Sequence, residues 1–372
     1  MNTKRKCLLC LAILLLFLTL HSRTASAEGR WYVFREEDVP AFLGYRVSDY
    51  TGEVTLTFLG DCTLGGEKKS QSNARSFFQV IRREGFRYPV RDLVTLTQED
   101  DVTLANLEGV LTDRELEKVK KTYNFLGPTE YTQILTLGGI ECVSLANNHS
   151  MDYGQEGYDD TCTALAAASV SYVSEDTMAV WESPEGVLIG FTGVAFELSG
   201  KSLAGYQKRM QLLQDVGCSA VITVMHAGVE YETHPSQNQK QIARYAARAG
   251  ACLVVGHHPH VVQGWDTVEG MPVVYSLGNC IFGGNYHPKD MDALVLQAKL
   301  RFAHSELAQV NLFAHPVSIS SVSGANNYSP VFLKDADAQR VLDKMEASTG
   351  KKTGVFDENL GAPIPWQQTE NE

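Results

Sequence analysis

Six short apolar runs alternate with longer amphipathic stretches, and this beat restricts the chain to few folds. The runs are VTLTFLG (54–60), DVTLANLEG (101–109), IECVSLANNH (140–149), GVLIGFTGV (186–194), CSAVITVMHAG (218–228) and ACLVVGHHPH (251–260). Each is rich in Val, Ile, Leu, Thr or Cys and short enough to be a strand. Helical patterns lie between them at 70–85, 157–170, 202–217 and 236–250. In the last, Ile242, Tyr245, Ala246 and Ala249 recur at helical spacing. Strands alternating with helices predict an α/β architecture. Runs that are apolar throughout predict strands covered on both faces. Beyond residue 265 the beat changes. MPVVYSLGN, DALVLQAKLRFA and LAQVNLFAHPVSI read as strands joined by short turns, so an antiparallel or mixed sheet is expected there. Residues 335–348 read as a helix, and the polar tail from Thr349 as poorly ordered. A length of 372 residues permits two domains or one large α/β domain.

The N-terminus reads as an export signal. Lys4, Arg5 and Lys6 precede the apolar stretch CLLCLAILLLFLTL (7–20), and TASA (24–27) ends in a small-x-small pattern suited to cleavage after Ala27. The apolar stretch is short for a membrane span, which needs about 20 residues; an uncleaved anchor is the alternative. Residues 28–52 read as an irregular or extended lead-in. The main domain is expected over 53–332, with a C-terminal helix and flexible tail over 333–372.

The chain carries a net charge of −12. Residues 1–27 hold Lys4, Arg5, Lys6 and Arg23 and no acid, so the remainder of the chain is more acidic still. This argues against nucleic acid or an anionic membrane surface as the main partner. An anionic substrate would need a local positive centre, which metal ions could supply. Six of the eight cysteines lie beyond residue 27. An even number permits disulfides in an exported chain. However, no CxxC spacing occurs among them, and most read as small buried hydrophobes.

The strand-like runs end in residues able to bind a cation: Asp61; Glu108; Asn147, Asn148 and His149; His226; and His257, His258 and His260. In an open α/β sheet, ligands bind outside the carboxyl ends of the strands. Five such ends would meet in one crevice, and carboxylate, amide and imidazole together suit a divalent transition metal. Each residue alone has an ordinary explanation. Asp61 and Glu108 can be turn or cap residues, and Asn148 can adopt a left-handed turn. The histidines can be solvated surface. Repetition of one residue class at one strand edge is what indicates a site. Two imidazoles separated by one residue, as in His258-Pro259-His260, point to one side of an extended segment.

Six segments in order resemble the motif set of CapA-type bacterial poly-γ-glutamate capsule synthesis proteins, a family related to the calcineurin-like metallophosphatases. They are GDCTLGG (60–66), LANLEG (104–109), LANNHSMDYGQEG (145–157), MHAGVEYETHPSQNQ (225–239), VVGHHPHVVQG (254–264) and VYSLGNCIF (274–282). The resemblance implies a four-layer αββα metallophosphatase-like fold, with mixed sheets and flanking helices. It implies metal ligands at Asp61, Glu108, Asn148, His226, His258 and His260, holding one or two ions of Mn, Fe or Zn. It makes His149 the catalytic acid, oriented by Asp152, and leaves His257 to bind a substrate anion. Glu230 is expected to support His226 or meet the substrate, and Asn279 to line the same rim. Two motifs depart from the metallophosphatase pattern. Asp-x-His is replaced by Asp61-Cys62-Thr63, and Gly-Asp by Asn106-Leu107-Glu108. One of two metal positions therefore loses a ligand.

The expected function is an exported protein that helps synthesise, export or anchor a cell-surface anionic polymer such as poly-γ-glutamate. It would meet that polymer or a phosphoryl substrate, and membrane-bound synthase or exporter subunits. The alternatives are a metal-dependent phosphoesterase or hydrolase and a non-catalytic polymer-binding surface protein. Serine-nucleophile and P-loop chemistry are disfavoured, because neither GxSxG nor GxxxxGK[ST] occurs.

Overall fold

The run around Phe58 becomes the long strand Gly52–Thr63, and it organises half of the molecule. The computed structural model describes residues 29–39 and 48–367. The expected export signal (1–27) lies outside them. Gly52–Thr63 pairs in parallel with Val102–Leu107, which continues in parallel to Cys142–Ser144 and Ser171–Val173. On its other side it runs antiparallel to Asp292–Ala303, itself antiparallel to Glu306–Ser318. These strands form the main path of a nine-stranded mixed sheet. A second, seven-stranded sheet has a parallel centre of Leu188–Ala195, Ala220–His226, Leu253–His257 and Met271–Leu277, with antiparallel strands at both margins. All six apolar runs of the sequence are strands here, and the mixed sheet expected beyond residue 265 is present.

The sheets pack face to face. Val54, Leu56 and Phe58 of one meet Phe191, Ile222, Val224 and Val255 of the other in a shared core. The outer face of the seven-stranded sheet is covered by the helices Gly200–Asp215 and Gln237–Arg248 through Tyr206, Met210, Ile242 and Ala246. The outer face of the nine-stranded sheet is covered by Phe77–Glu84, Thr132–Leu137 and Gly154–Ala167 through Phe77, Ile81, Ile134 and Leu165. The order is helix, sheet, sheet, helix. Burial of each large apolar side chain in these layers contributes about 2 kcal/mol. The helix expected at 70–85 begins only at Phe77, because Ser76 caps it by accepting a hydrogen bond from the Gln79 backbone N–H.

One irregularity sets up the site. Along Gly52–Thr63, side chains alternate between the inter-sheet core (Val54, Leu56, Phe58) and the helix side (Leu59), as a strand requires. The pairing with Val102–Leu107 then shifts register between Phe58 and Asp61. Past the shift, Cys62 and Leu64 face the helices. The phase has slipped by one residue, and Asp61 turns toward the other sheet. Gly60 sits at the slip with its backbone against Gly278; a Cβ there would lie 2.3 Å from the Gly278 carbonyl oxygen.

Of the two terminal expectations, the flexible tail is corrected. Within the lead-in, Arg30–Arg35 is a regular edge strand, antiparallel to Thr177–Glu182. The described part of the tail, to residue 367, is ordered. After the helix Asp335–Thr349, Ala362–Ile364 pairs antiparallel with Leu312–Ala314, and the Trp366 indole N–H donates to the Val310 carbonyl at 3.0 Å. Ala362 and Ile364 point into the inter-sheet core around the exposed Pro363. The tail thereby covers backbone that would otherwise be an open edge.

Candidate metal centre

Strand ends from both sheets meet at one buried point. Asp61 and Glu108 close two neighbouring parallel strands of the nine-stranded sheet, and Asn147, Asn148 and His149 come just after a third. His226 ends a central strand of the opposing sheet, and His257 ends the strand beside it. His258 and His260 sit in the bend just beyond, with φ of 96° and 55°. The extended geometry expected of this pair is therefore corrected. Both residues occupy left-handed backbone, which is costly outside glycine and is held only where the surroundings demand it. The bend gives the His258 backbone N–H a partner in Asp61 Oδ2 at 3.2 Å.

The donor atoms lie close together. Asn148 Oδ1 is 2.8 Å and His258 Nδ1 3.1 Å from His226 Nε2. Glu108 Oε1 is 3.8 Å from the Nε2 atoms of His226, His260 and His149 alike. On the far side of the rings, Asp61 Oδ2 is 3.2 Å from His260 Nδ1, and Asp61 Oδ1 is 3.8 Å from His226 Nδ1. Two sets of potential ligand atoms fall within 4.8 Å of one another: Glu108, His226 and His258; and Asp61, Glu108 and His260.

Burial and charge oppose each other here. Burial pushes the Glu108 carboxyl up to about 7, only partly offset by His260. Burial acts against the Asp61 charge too, but the hydrogen bond and charge of His260, backed by His226 and His257, hold its carboxyl well below the usual range. Burial also drives His226 far down and His258 down, favouring neutral imidazole, the form that binds metals. For His260 burial is outweighed by Glu108 and Asp61, and its protonation rises to about 10.

Both Glu108 carboxylate oxygens are buried, without a hydrogen-bond partner among the described residues. A buried, unpartnered carboxylate is expensive. A cation between it and the imidazoles would supply the missing partner, so the buried donor set could hold a metal ion.

His149 is held beside this centre. Its Nδ1 lies 2.7 Å from Asp152 Oδ2, an oxygen that also accepts the Phe125 N–H at 2.6 Å. The Phe125 ring packs against the imidazole, centroids 4.4 Å apart. Lys121 pairs with Asp152 Oδ1 at 2.5 Å and donates to the Asn148 carbonyl at 2.7 Å. Asn279 Oδ1 is 3.0 Å from His260 Nδ1, inside the cluster rather than on a rim. Glu230 is exposed on the loop after His226, close enough to act electrostatically on Glu108, His258 and His260. His257 is not brought to the cleft. It is fully buried with Nε2 3.0 Å from the Leu59 carbonyl, tying the sheets together. It shares the inter-sheet face with its register partner His226, but its ring is taken up by the Leu59 carbonyl of the opposing sheet.

Sequence reasoning missed Asn106 and Lys121, and it named Asn147 only as one of the strand-end polar residues. The Asn106 amide donates to Asp61 Oδ1 at 2.7 Å and lies 3.2 Å from His226 Nδ1. Asn147 donates to Asn106 Oδ1 at 3.1 Å and to the Leu107 carbonyl at 2.9 Å. A polar amide inside the apolar run LANLEG was the available signal for Asn106, since such a group is kept only where it is hydrogen-bonded. Lys121 lies in an irregular loop, and nothing in its sequence context connects it to His149.

Two packed mixed sheets flanked by helices, with oxygen and nitrogen donors at the facing strand ends, define a metallophosphatase-like fold. A family model described as bacterial capsule synthesis protein PGA_cap matches residues 55–284, more than half of the chain, and the chain belongs to this family. A capsule biosynthesis protein CapA from Bacillus anthracis is 28% identical over 274 residues, covering 67% of this chain and 64% of that protein. A PGA biosynthesis protein CapA from Bacillus subtilis is 27% identical over 281 residues, 69% of this chain and 70% of that one. A probable polyglutamine synthesis accessory protein from Mycobacterium tuberculosis is 27% identical over 213 residues, 49% and 55% of the two chains. The match thus spans less than two thirds of the Bacillus anthracis relative. The family resemblance carried by the six motifs is borne out.

Proposed function

We propose that this chain is an exported, metal-dependent protein that processes or helps assemble an anionic cell-surface polymer of the poly-γ-glutamate type. The observation that carries the metal reading is Glu108: a buried, unpartnered carboxylate facing three imidazole Nε2 atoms. Mixed oxygen and nitrogen donors suit Mn, Fe or Zn. The polymer is inferred from the names of the relatives, and export from the charged and apolar pattern of residues 4–27.

A bound ion supplies Lewis acidity toward a phosphoryl or acyl oxygen. The chain's own residues do the rest. His149, fixed through Nδ1 by Asp152, turns Nε2 toward the centre and protonates the leaving group. Phe125 shields that imidazole from water. Lys121 neutralises the buried Asp152 and ties it to the Asn148 backbone. Glu230 meets the substrate at the exposed side, and Asn279 fixes the His260 ring.

A second reading is an accessory subunit of a membrane-bound synthase or exporter that performs no turnover. It is favoured by Thr63, which stands where a metallophosphatase has its first-motif histidine. The test is turnover of bis(4-nitrophenyl) phosphate by the purified chain with Mn, Fe or Zn. Metal-dependent hydrolysis that His258→Ala abolishes supports the catalytic reading. No hydrolysis with any of the three metals, together with loss of polymer from a strain lacking the gene, supports the accessory one.

A further inference from the structure

We infer that this centre holds a single divalent ion per chain, and that Asp61 is a positioning residue rather than a ligand. The inference rests on the metal reading above and deepens it.

The imidazoles of His226 and His260 each lie between two carboxylates. Their Nε2 atoms face Glu108 Oε1, both at 3.8 Å. Their Nδ1 atoms face Asp61, at 3.8 Å from Oδ1 and 3.2 Å from Oδ2. An imidazole offers an ion one nitrogen and uses the other to hold its orientation through a carboxylate or carbonyl. Glu108 is the carboxylate with both oxygens free, and it shares its side of the rings with Asn148 Oδ1 and His258 Nδ1, each within 3.1 Å of His226 Nε2. The ion belongs on that side. Asp61 then lies behind the rings as their orienting partner.

The Asp61 oxygens are already engaged. Oδ1 accepts the Asn106 amide at 2.7 Å, and Oδ2 accepts the His258 backbone N–H at 3.2 Å while facing His260 Nδ1. A second ion on the Asp61 side would have to break the His260 contact, and that ring is also held through Nδ1 by Asn279 Oδ1 at 3.0 Å. The nearby Thr63 offers a hydroxyl, a poor ligand for a transition metal beside imidazole. Asp61, Glu108 and His260 lie near enough to suggest a second position, but two of the three already point elsewhere.

The test is manganous ion titrated into the purified metal-free chain, read by elemental analysis after dialysis and by electron paramagnetic resonance. One ion per chain with the six-line spectrum of isolated manganese is expected. Asp61→Asn should still bind one ion, with affinity weakened about 10–100-fold as for loss of an outer partner; Glu108→Gln should bind none. Two ions per chain with an exchange-broadened spectrum, falling to one in Asp61→Asn, would overturn the inference and leave the metal reading standing. No bound ion in the unsubstituted chain, with Mn, Fe or Zn, would overturn both. If Asp61→Asn fails to fold, the count for the unsubstituted chain decides the number of ions, and the distance of Asp61 from a manganese anomalous peak decides its role: a separation too long for a bond is expected, and direct coordination would overturn the inference.

Discussion

The two sheets contribute different chemistry to the centre. The nine-stranded sheet brings oxygen groups: Glu108 and Asn148 toward the ion's side, and Asp61 behind the imidazole rings. The seven-stranded sheet brings nitrogen donors, from His226, His258 and His260. Neither edge is a metal site alone, and the donors meet only because the shared core of Phe58, Phe191 and Val224 holds the sheets face to face. The nitrogen edge carries the backbone strain, at His258 and His260, whereas the oxygen edge carries the electrostatic cost of the buried Glu108 carboxyl; burial merely keeps two of the imidazoles neutral. On the metal reading proposed above, the contrast teaches that an ion would relieve the oxygen edge more than the nitrogen edge.

Substitutions can break this contrast. The largest effect is expected from Glu108→Gln, which removes the charge that all three Nε2 atoms face. Metal binding should vanish and any phosphodiesterase turnover with it, as checked by dialysis and steady-state kinetics. His149→Ala should bind metal normally but lose about 10²–10⁴ in turnover, the usual worth of a general acid. Retained turnover would remove His149 from the chemistry. Lys121→Met should cost less, about tenfold in kcat with little change in KM, since Lys121 acts through Asp152.

A pH series sharpens the contrast. The metal-free Glu108 carboxyl is raised to about 7, so below that pH an incoming ion must displace a proton. Metal affinity should therefore fall by about tenfold per unit as pH drops below 7. Calorimetry in buffers of different ionisation enthalpy would count the protons released. Affinity that is flat between pH 5 and 8 would contradict the assignment of this group. The smallest effect is expected from Trp366→Ala in the tail strand. It should lower the melting temperature by a few degrees and leave metal affinity unchanged.

Much of this was legible in the sequence, for identifiable reasons. Fully apolar runs mark strands covered on both faces, and a parallel sheet puts its chemistry at the carboxyl ends. That located Asp61, Glu108, Asn148, His149 and His226 at strand ends, but not their division between two facing sheets. The local deviations were not legible. The slip between Phe58 and Asp61 depends on pairing with a distant strand. The left-handed backbone of His258 and His260 is imposed by their neighbours, not by propensity. His257 looked like its neighbours and shares the inter-sheet face with His226, but its ring is engaged by the Leu59 carbonyl of the opposing sheet, which only the tertiary packing decides. The ordered tail was hidden because its glycines and prolines read as loop, while its pairing partner lies about fifty residues away.

The most direct measurement of the central claim is anomalous diffraction from crystals of the chain soaked in manganous ion. The expected result is a peak enclosed by Glu108, Asn148, His226 and His258. A peak bound elsewhere on the surface, with Glu108 still unpartnered, would contradict it.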